Sequence, residues 1–325
     1  MELSQGVACQ AIPAHSRWGR RRKESTMQKI IPNIWFDHNA QEAGEYYASI
    51  FDDATSTVTS RYPEQVPDWQ ASFAGKVLTA ELEIGGYTFN FINAGPEFRP
   101  NPSISFMLNF DPLMFGGDEA AARARMDALW AALADGGTAL MDIDEYDWSK
   151  RYGWVQDRYG VSWQLMLSDP EGWPRPFIIP QLMFSGDVVG QAREAAAHYV
   201  STFDDAEIGM IAEYPEPSGA APAGSIMFGE FRIGEQWFSM MVDGSGGHNP
   251  FTPAISLSVQ AADQAEIDDV WEALSSDPGQ EQCGWLVDPW GVSWQVVPEN
   301  MGELMKRPGA YEHMMGMKKL IIAEF

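Results

Sequence analysis

Cysteine, basic residues and long apolar runs are all scarce in this chain. The two cysteines, Cys9 and Cys283, have no partner at disulfide or zinc spacing, which favours a reducing, cytoplasmic setting. No apolar run reaches the roughly 18 residues that a transmembrane helix needs. Only 21 Lys and Arg stand against 46 Asp and Glu, a net charge of −25. Because such a surface repels phosphate backbones and anionic lipids, neither nucleic acid nor a membrane is expected as a partner.

The few basic residues are concentrated at the N-terminus. Residues 1–26 contain five Arg and Lys but only two Glu, so the rest of the chain is even more acidic than the whole. No apolar segment of about 7–15 residues follows the arginines, which argues against a secretory signal. A targeting peptide and a disordered arm remain open. The favoured interpretation is a basic, disordered extension upstream of a translation start at Met27.

One motif occurs twice. Residues 160–164 and 291–295 both read GVSWQ, and each copy follows an aspartate and a Gly-Trp pair. Further pairs lie in the same order, among them IIPNIWF with IIPQLMF and YYASIFDDA with HYVSTFDDA. The copies are about 130 to 150 residues apart, whereas the units of a solenoid repeat every 20–50 residues or so. The sequence therefore predicts a duplicated domain.

Each half is predicted to contain two units of one strand, one helix and three strands. Residues 29–37 alternate with a period of two and predict a strand, and residues 40–51 place apolar residues at helical spacing. Gly85-Gly86 predicts a tight hairpin between two further strands. In the second half, strands are predicted at 178–184, 225–233, 236–242, 254–259, 284–287 and 292–297, and helices near 188–203 and 262–274.

These patterns define a domain organisation. The first domain spans residues 27–169, the Pro-rich segment 170–176 (PEGWPRP) is the linker, and the second domain spans 177–298. A tail follows over 299–325. It is predicted to hold a helix broken at Pro308-Gly309 and a last strand over 319–325, and to pack across the two halves.

The opening and closing segments of the repeat resemble a known family. IIPNIWFDHNAQEAGEYYASIF and DRYGVSWQLM resemble the PhnB-like branch of the vicinal oxygen chelate (glyoxalase/bleomycin-resistance) superfamily, and the resemblance covers nearly all of residues 27–298. It implies an α+β fold in which the two units of each half form a cup-shaped antiparallel sheet. The two halves would then pair as an intramolecular pseudo-dimer, and a monomeric chain is compatible with that arrangement.

The same branch is often labelled a demethylubiquinone methyltransferase. A methyl-donor nucleotide normally needs a Gly-rich turn between a strand and a helix of a parallel sheet. Gly85-Gly86 lies between two strands and Gly136-Gly137 follows a helix, and neither is a GxGxxG motif. Methyltransferase activity is therefore not expected.

The resemblance also implies where a metal would bind. Enzymes of the superfamily hold a divalent ion with His or Glu at four strand positions of each half. The matching positions carry only neutral side chains: Asn33, Asn90, Ser103 and Gln164 in the first half, and Gln181, Ser239, Ala254 and Gln295 in the second. Because divalent ions prefer imidazole, thiolate or carboxylate ligands, a metal is not expected. No other cofactor is expected either. Gln164 and Gln295 either bond to neighbouring backbone or form a neutral polar floor for an organic ligand.

Other polar residues have competing interpretations. Glu81 and Glu230 correspond across the halves. Each is either a general acid or base facing inward, or half of an outward cross-strand ion pair, which is the favoured alternative. His38, His198 and His248 are predicted to lie on a turn, a helix and a loop, without a catalytic role.

The halves differ most just before their Gly-Trp pairs. The first half has DGGTALMDIDEYDWSKRY where the second has only SSDPGQEQC. The longer segment is predicted to cover the first cup, where aromatic residues stack on a flat ligand and Lys150 or Arg151 pairs with an anionic group. The predicted ligand site consists of Asn33, Trp35, Asn90, Phe106, Trp148, Tyr152 and Gln164.

Three classes of function are compatible with these features. The favoured class is a protein that sequesters or senses a small, partly aromatic molecule without a metal, as resistance-type members of the superfamily do. The alternative is an enzyme of the lyase, isomerase or dioxygenase type. A purely structural role is the third.

Overall fold

The computed structural model describes residues 28–66, 68–172 and 174–325. The basic extension predicted for residues 1–26 lies outside the described residues. In the first half, the elements are β1 (Ile30–Phe36), α1 (Ala40–Ile50), β2 (Ala54–Arg61), β3 (Val77–Ile84), β4 (Tyr87–Asn93), β5 (Ile104–Phe110), α2 (Glu119–Ala134), β6 (Thr138–Tyr146), β7 (Ser149–Gln156) and β8 (Ser162–Leu167).

The second half repeats this order with one strand fewer. Its elements are β9 (Ile178–Phe184), α3 (Ala192–Thr202), β10 (Ala206–Glu213), β11 (Ile226–Ile233), β12 (Gln236–Val242), β13 (Ile255–Ala261), α4 (Gln264–Leu274), β14 (Trp285–Val287) and β15 (Ser293–Pro298). The tail contains α5 (Met301–Leu304) and α6 (Ala310–Gly316). Within the described ranges, no helix has both the length and the apolar character needed to cross a membrane.

Local sequence explains several element boundaries. The carboxylate of Asp118 accepts a hydrogen bond from the backbone N–H of Ala121 at 3.0 Å, which caps the start of α2. Asp263 caps α4 in the same way. Gly85 and Gly86 have φ angles of 56° and 84°, and the tight turn between β3 and β4 requires this left-handed backbone at both positions.

Two mixed sheets form the framework. Sheet A has the strand order β14-β15-β13-β1-β4-β3-β2, and sheet B has the order β10-β11-β12-β9-β5-β8-β7-β6. The predicted α+β class and the repeated halves are confirmed. Both sheets are mixed rather than purely antiparallel, because the pairs β1–β4, β13–β15, β12–β9 and β5–β8 are parallel.

The units pair differently from the expected arrangement. Each sheet takes one unit from each half, because β1 pairs with β13 and β5 pairs with β9, both antiparallel. The two units of one half therefore do not share a sheet. The repeat could not reveal this, since the first and third units carry the same sequence pattern and either one can offer an opening strand to the second unit.

The apolar core lies between the helices and one face of each sheet. Helices α2 and α3 pack on sheet B, and α1 packs on sheet A, with buried residues such as Tyr47, Met126, Phe106 and Leu182 in one continuous cluster. The opposite side of sheet B, here called its open face, carries a separate small cluster built on Tyr152, Trp154 and Met183. The candidate site lies on this open face.

The repeated motif ties each closing strand to a helix of its own half. The side chain of Asp157 accepts four hydrogen bonds: from the Tyr47 hydroxyl at 2.6 Å, the Trp163 indole N–H at 2.8 Å, and the backbone N–H groups of Tyr159 and Val161 at 2.9 and 3.0 Å. Asp157 is 4% exposed. Burial raises the pKa of this carboxyl group, and the hydrogen bonds oppose that effect.

The second copy has the same geometry. Asp288 accepts from the Tyr199 hydroxyl, the Trp294 indole, and the backbone N–H groups of Trp290 and Val292, at 2.6 to 2.9 Å. Burial again raises the pKa of the carboxyl group. The duplicated GVSWQ motif is therefore explained by the fold.

The tail packs beside β14. The backbone N–H groups of Cys283 and Gly284 donate to the carbonyls of Met317 and Lys318 at 2.9 and 2.7 Å. The strand predicted over 319–325 is wrong, since this segment is irregular with one short 3₁₀ turn at Ile322–Glu324. Its apolar side chains are buried instead in a tail cluster of Leu304, Ala310, Met317, Leu320 and Phe325.

Candidate ligand-binding site

A cavity of about 870 Å³ lies over one end of the open face of sheet B. Met107 and Asn109 of β5, Met166 of β8 and Ile179 of β9 contribute to its wall. The rest of the lining comes from the turn between β6 and β7, from the segment that joins the two halves, and from β10 and β11. Residues of both halves therefore surround one space.

The segment that distinguishes the first half is a β-hairpin. β6 and β7 pair antiparallel and are joined at Asp147-Trp148, so the predicted covering loop is mostly regular strand. The Trp148 ring is 64% exposed and stacks on Tyr146, with ring centroids 4.9 Å apart. Tyr152 meets the Trp148 ring nearly edge-on at 6.0 Å. Of these rings, Tyr146 and Trp148 line the cavity and give one side of it an aromatic surface.

A row of neutral polar side chains crosses the open face of sheet B. In the strand register, Ser105 is opposite Gln181, which is opposite Ser239. The Gln164 amide donates to the Ser105 hydroxyl at 2.9 Å and accepts from the Tyr152 hydroxyl at 2.7 Å. Gln164 thus bonds to side chains, not to the neighbouring backbone.

Two members of this row have unused polar atoms. Gln181 Oε1 and Ser239 Oγ are buried and have no hydrogen-bond partner among the described residues. Gln181 lies two residues from Ile179 on the same strand face, and Ser239 is opposite Glu230 in the register; both Ile179 and Glu230 line the cavity. An unpaired buried polar group costs about 1–3 kcal/mol, so a water molecule or a ligand group is expected at these atoms, as it is at Asn33 Oδ1 of sheet A.

Sheet A carries a matching row of Asn33, Asn90, Ser256 and Gln295. Asn33 is opposite both Asn90 and Ser256, and the Gln295 amide donates to the Ser256 hydroxyl at 2.9 Å. The positions predicted as Ser103 and Ala254 are therefore occupied by Ser105 and Ser256. A shift of two residues keeps the same strand face, which is why the pattern did not resolve it.

The donor set does not fit the divalent metal of the superfamily. In each sheet, the four positions hold two hydroxyl or amide residues from each half, and none is anionic or an imidazole. Among the described residues, no group of three or more His, Cys, Asp and Glu side chains is placed to hold a metal ion. Neutral oxygens alone lack the charge that such ions require.

The structure separates the seven residues of the predicted site. Trp148, Tyr152 and Gln164 belong to sheet B, at or next to the cavity. Asn33, Trp35 and Asn90 belong to sheet A. The grouping of all seven into one pocket is wrong, because it assumed that both units of the first half share a sheet.

Trp35 and Phe106 have structural surroundings. The Trp35 indole donates to the Gly95 carbonyl at 2.7 Å, and its ring borders a cavity of only about 170 Å³. Phe106 points to the helix-covered face, where it is fully buried against Phe89 and Trp163. Phe106 therefore cannot be a wall of the site.

The charged pair of Arg175 and Glu230 was not predicted. Arg175, from the Pro-rich linker, donates to both carboxylate oxygens of Glu230 at 3.0 and 2.7 Å, and its guanidinium lies 4.0 Å from the centroid of the Trp237 ring. Both charged residues line the cavity. Glu230 therefore faces inward, and the linker takes part in the site; an arginine among prolines was the only signal in the sequence.

The cations predicted to bind an anionic ligand are already paired. Lys150 forms an ion pair with Glu119 at 2.9 Å, and this hydrogen bond is the main cause of its raised pKa. Arg151 forms an ion pair with Asp127 of α2 at 2.8 Å. The expectation that either residue is free for an anionic group is wrong.

Four units of strands and a helix, paired into two mixed sheets with an open face, constitute the vicinal oxygen chelate fold. The chain belongs to the family described as 3-demethylubiquinone-9 3-methyltransferase, whose model matches residues 28–166 and again 176–297. The double match agrees with the duplication, and the resemblance to the PhnB-like branch is confirmed.

Solved structures give three further comparisons. The PhnB protein from Bacillus cereus is 31% identical, and the match covers 43% of this chain and 100% of that protein, with a TM-score of 0.37. A protein from Pseudomonas aeruginosa is 24% identical over 43% of this chain and 98% of its own, with a TM-score of 0.34. Glyoxalase I from Zea mays is 11% identical, and the match covers 84% of this chain and 95% of that protein, with a TM-score of 0.48. No curated protein matches the chain.

Proposed function

We propose that the chain binds a small, partly aromatic organic molecule in the cavity over sheet B, without a metal, and thereby sequesters or senses it. The observation that carries this proposal is the cavity of about 870 Å³ beside the exposed ring of Trp148. Pockets of roughly 300–1,000 Å³ suit small organic ligands. Covering about 100 Å² of apolar surface there would contribute about 2.5 kcal/mol to binding.

The donor set supports metal independence. Ser105, Gln164, Gln181 and Ser239 occupy the positions from which a metal would be held, and all four are neutral. They can instead exchange hydrogen bonds with a polar group of an organic ligand, since two of them have an unused polar atom.

An isomerase or lyase is the second candidate function. Glu230 is a buried carboxylate on the cavity wall, and such a group can transfer a proton to or from a bound substrate. Arg175 holds both of its oxygens, which favours a structural role over proton transfer. In the enzyme, Glu230→Gln would abolish turnover; the binding protein has no turnover to lose, so an activity assay of the wild type against this variant separates the two candidates.

The test uses N-phenyl-1-naphthylamine, a neutral aromatic dye that becomes fluorescent in apolar sites. The dye is expected to bind once per chain, and Trp148→Ala is expected to weaken binding by about 1–3 kcal/mol, which is roughly 5- to 150-fold, because a stacking surface is lost. A fluorescence titration of the full chain measures both quantities.

Phe98→Ala is the matched control. Phe98 is also an exposed aromatic residue, but it packs edge-on against Trp35 beside sheet A. The Phe98→Ala substitution should leave dye affinity unchanged, and so should Asn33→Ala. Loss of binding in the Phe98 variant and not in the Trp148 variant would place the site on sheet A. Failure of the dye and of other aromatic probes to bind would refute the proposed function.

A further inference from the structure

We infer that the cavity over sheet B selects organic cations over neutral or anionic molecules of the same shape. This inference rests on the proposed function and specifies its ligand class. Five acidic residues line the cavity against two basic ones. The acidic residues are Asp111, Glu145, Asp147, Asp169 and Glu230.

Both basic residues are already neutralised. Lys150 pairs with Glu119, and Arg175 pairs with Glu230 through both carboxylate oxygens. The remaining four lining carboxylates form no salt bridge within the described part of the chain. Asp111 and Asp169 each accept one backbone hydrogen bond, from Leu113 and Glu171. The cavity therefore has an excess of negative charge.

Aromatic rings alternate with these carboxylates along the hairpin turn. The sequence of the turn is Glu145-Tyr146-Asp147-Trp148, and the Tyr146 and Trp148 rings are stacked. The faces of Trp and Tyr rings attract cations within about 6 Å. A turn that combines ring faces with carboxylates is suited to an ammonium group carried on an apolar or aromatic skeleton.

The buried polar row supplies an independent observation. Gln181 Oε1 is a carbonyl oxygen, so it can only accept a hydrogen bond, and it has no partner among the described residues although Gln181 is 1% exposed. Ser239 Oγ, also unpartnered, lies between Gln181 and Glu230 in the register. An ammonium group can donate to the Gln181 carbonyl beside the Glu230 carboxylate, whereas a carboxylate ion has no donor to offer.

The experiment compares three naphthalene derivatives with similar skeletons and substituents of different charge. They are 1-naphthylmethylamine, a cation at pH 7, the neutral 1-naphthylmethanol, and the anion 1-naphthaleneacetate, each used to displace N-phenyl-1-naphthylamine from the full chain. The ammonium is expected to bind at least 10-fold more tightly than the alcohol, and the carboxylate more weakly than either. This advantage should shrink as NaCl is raised, because salt screens exposed charges.

A charge-neutralising variant locates the effect. The double substitution Glu145→Gln and Asp147→Asn is expected to weaken the ammonium by roughly 10-fold while leaving the alcohol unchanged. The control is Glu312→Gln with Glu324→Gln, which also removes two negative charges but at exposed positions of the tail. It should change the affinity of neither the ammonium nor the alcohol. Equal affinities for the ammonium and the alcohol, or an equal effect of both double variants, would overturn the inference and leave the proposed function intact. If the dye binds but none of the three naphthalenes displaces it, the inference is likewise overturned; if neither the dye nor any of the three binds, the proposed function is overturned.

Discussion

Asp157→Asn is expected to lower the free energy of unfolding by about 3–5 kcal/mol, since it breaks a buried network around a charged acceptor. The aspartate accepts four hydrogen bonds, whereas an asparagine side chain has a single acceptor oxygen. If that oxygen keeps the backbone N–H groups of Tyr159 and Val161, the amide NH₂ faces the Trp163 indole N–H, and two donors oppose each other. Urea denaturation followed by circular dichroism measures the loss.

The duplication supplies a second test of the same geometry. Asp288→Asn should cost a similar amount, because Asp288 makes the same four contacts in the second half. Asp135→Asn is the control, since Asp135 is exposed and pairs with Arg158 at the surface, where an ion pair contributes about 1 kcal/mol or less. A cost at Asp157 no larger than at Asp135 would contradict the structural role assigned to the repeated motif.

The repeat in the sequence predicted the fold correctly, but the expectation that both units of one half share a sheet was wrong. The matched segments define a duplicated domain because strand alternation and the Asp157 and Asp288 turns are local features, visible along the sequence. Which unit completes which sheet is decided by contacts between β1 and β13 and between β5 and β9. The units of the two halves have interchangeable patterns, so no local signal distinguishes the two arrangements.

The site was predictable to a similar extent. The extra residues of the first half form the β6–β7 hairpin, whose turn places Trp148 in the cavity wall, and their role in ligand binding stays a prediction. Arg175 could not be predicted, because its role depends on where the linker crosses the open face of sheet B. Likewise, Lys150 and Arg151 look available in sequence, and only the position of α2 shows that Glu119 and Asp127 neutralise them.

The two sheets differ at the edge next to β7 and β14, which agrees with a ligand site on sheet B alone. β7 in sheet B is extended by β6, whereas the segment before β14 in sheet A is bonded to the tail through Met317 and Lys318. The tail thus lies beside sheet A in the position that the hairpin strand occupies beside sheet B. This arrangement gives the two copies different surroundings although their polar rows remain alike.

Arg175→Met is expected to lower the free energy of unfolding by about 3–5 kcal/mol, because it leaves the buried carboxylate of Glu230 without its charge partner. Glu230 is 6% exposed, and Arg175 donates a hydrogen bond to each of its carboxylate oxygens. Methionine keeps an apolar stem over the Trp237 ring, so the change removes mainly the charge. The double variant Arg175→Met with Glu230→Leu is expected to recover most of the loss, since a buried pair replaced by apolar residues is often neutral for stability.

A double-mutant cycle over these variants isolates the coupling between the two side chains. The matched pair is Arg193 with Glu213, both about half exposed, for which the coupling should be below about 1 kcal/mol. A coupling for Arg175 and Glu230 that is several times larger would show that the linker is anchored to sheet B through this pair. That anchor holds one wall of the cavity, so the double variant should also bind N-phenyl-1-naphthylamine more weakly than the wild type even where its stability has recovered. A coupling as small as that of the exposed pair would contradict the anchoring role of the linker.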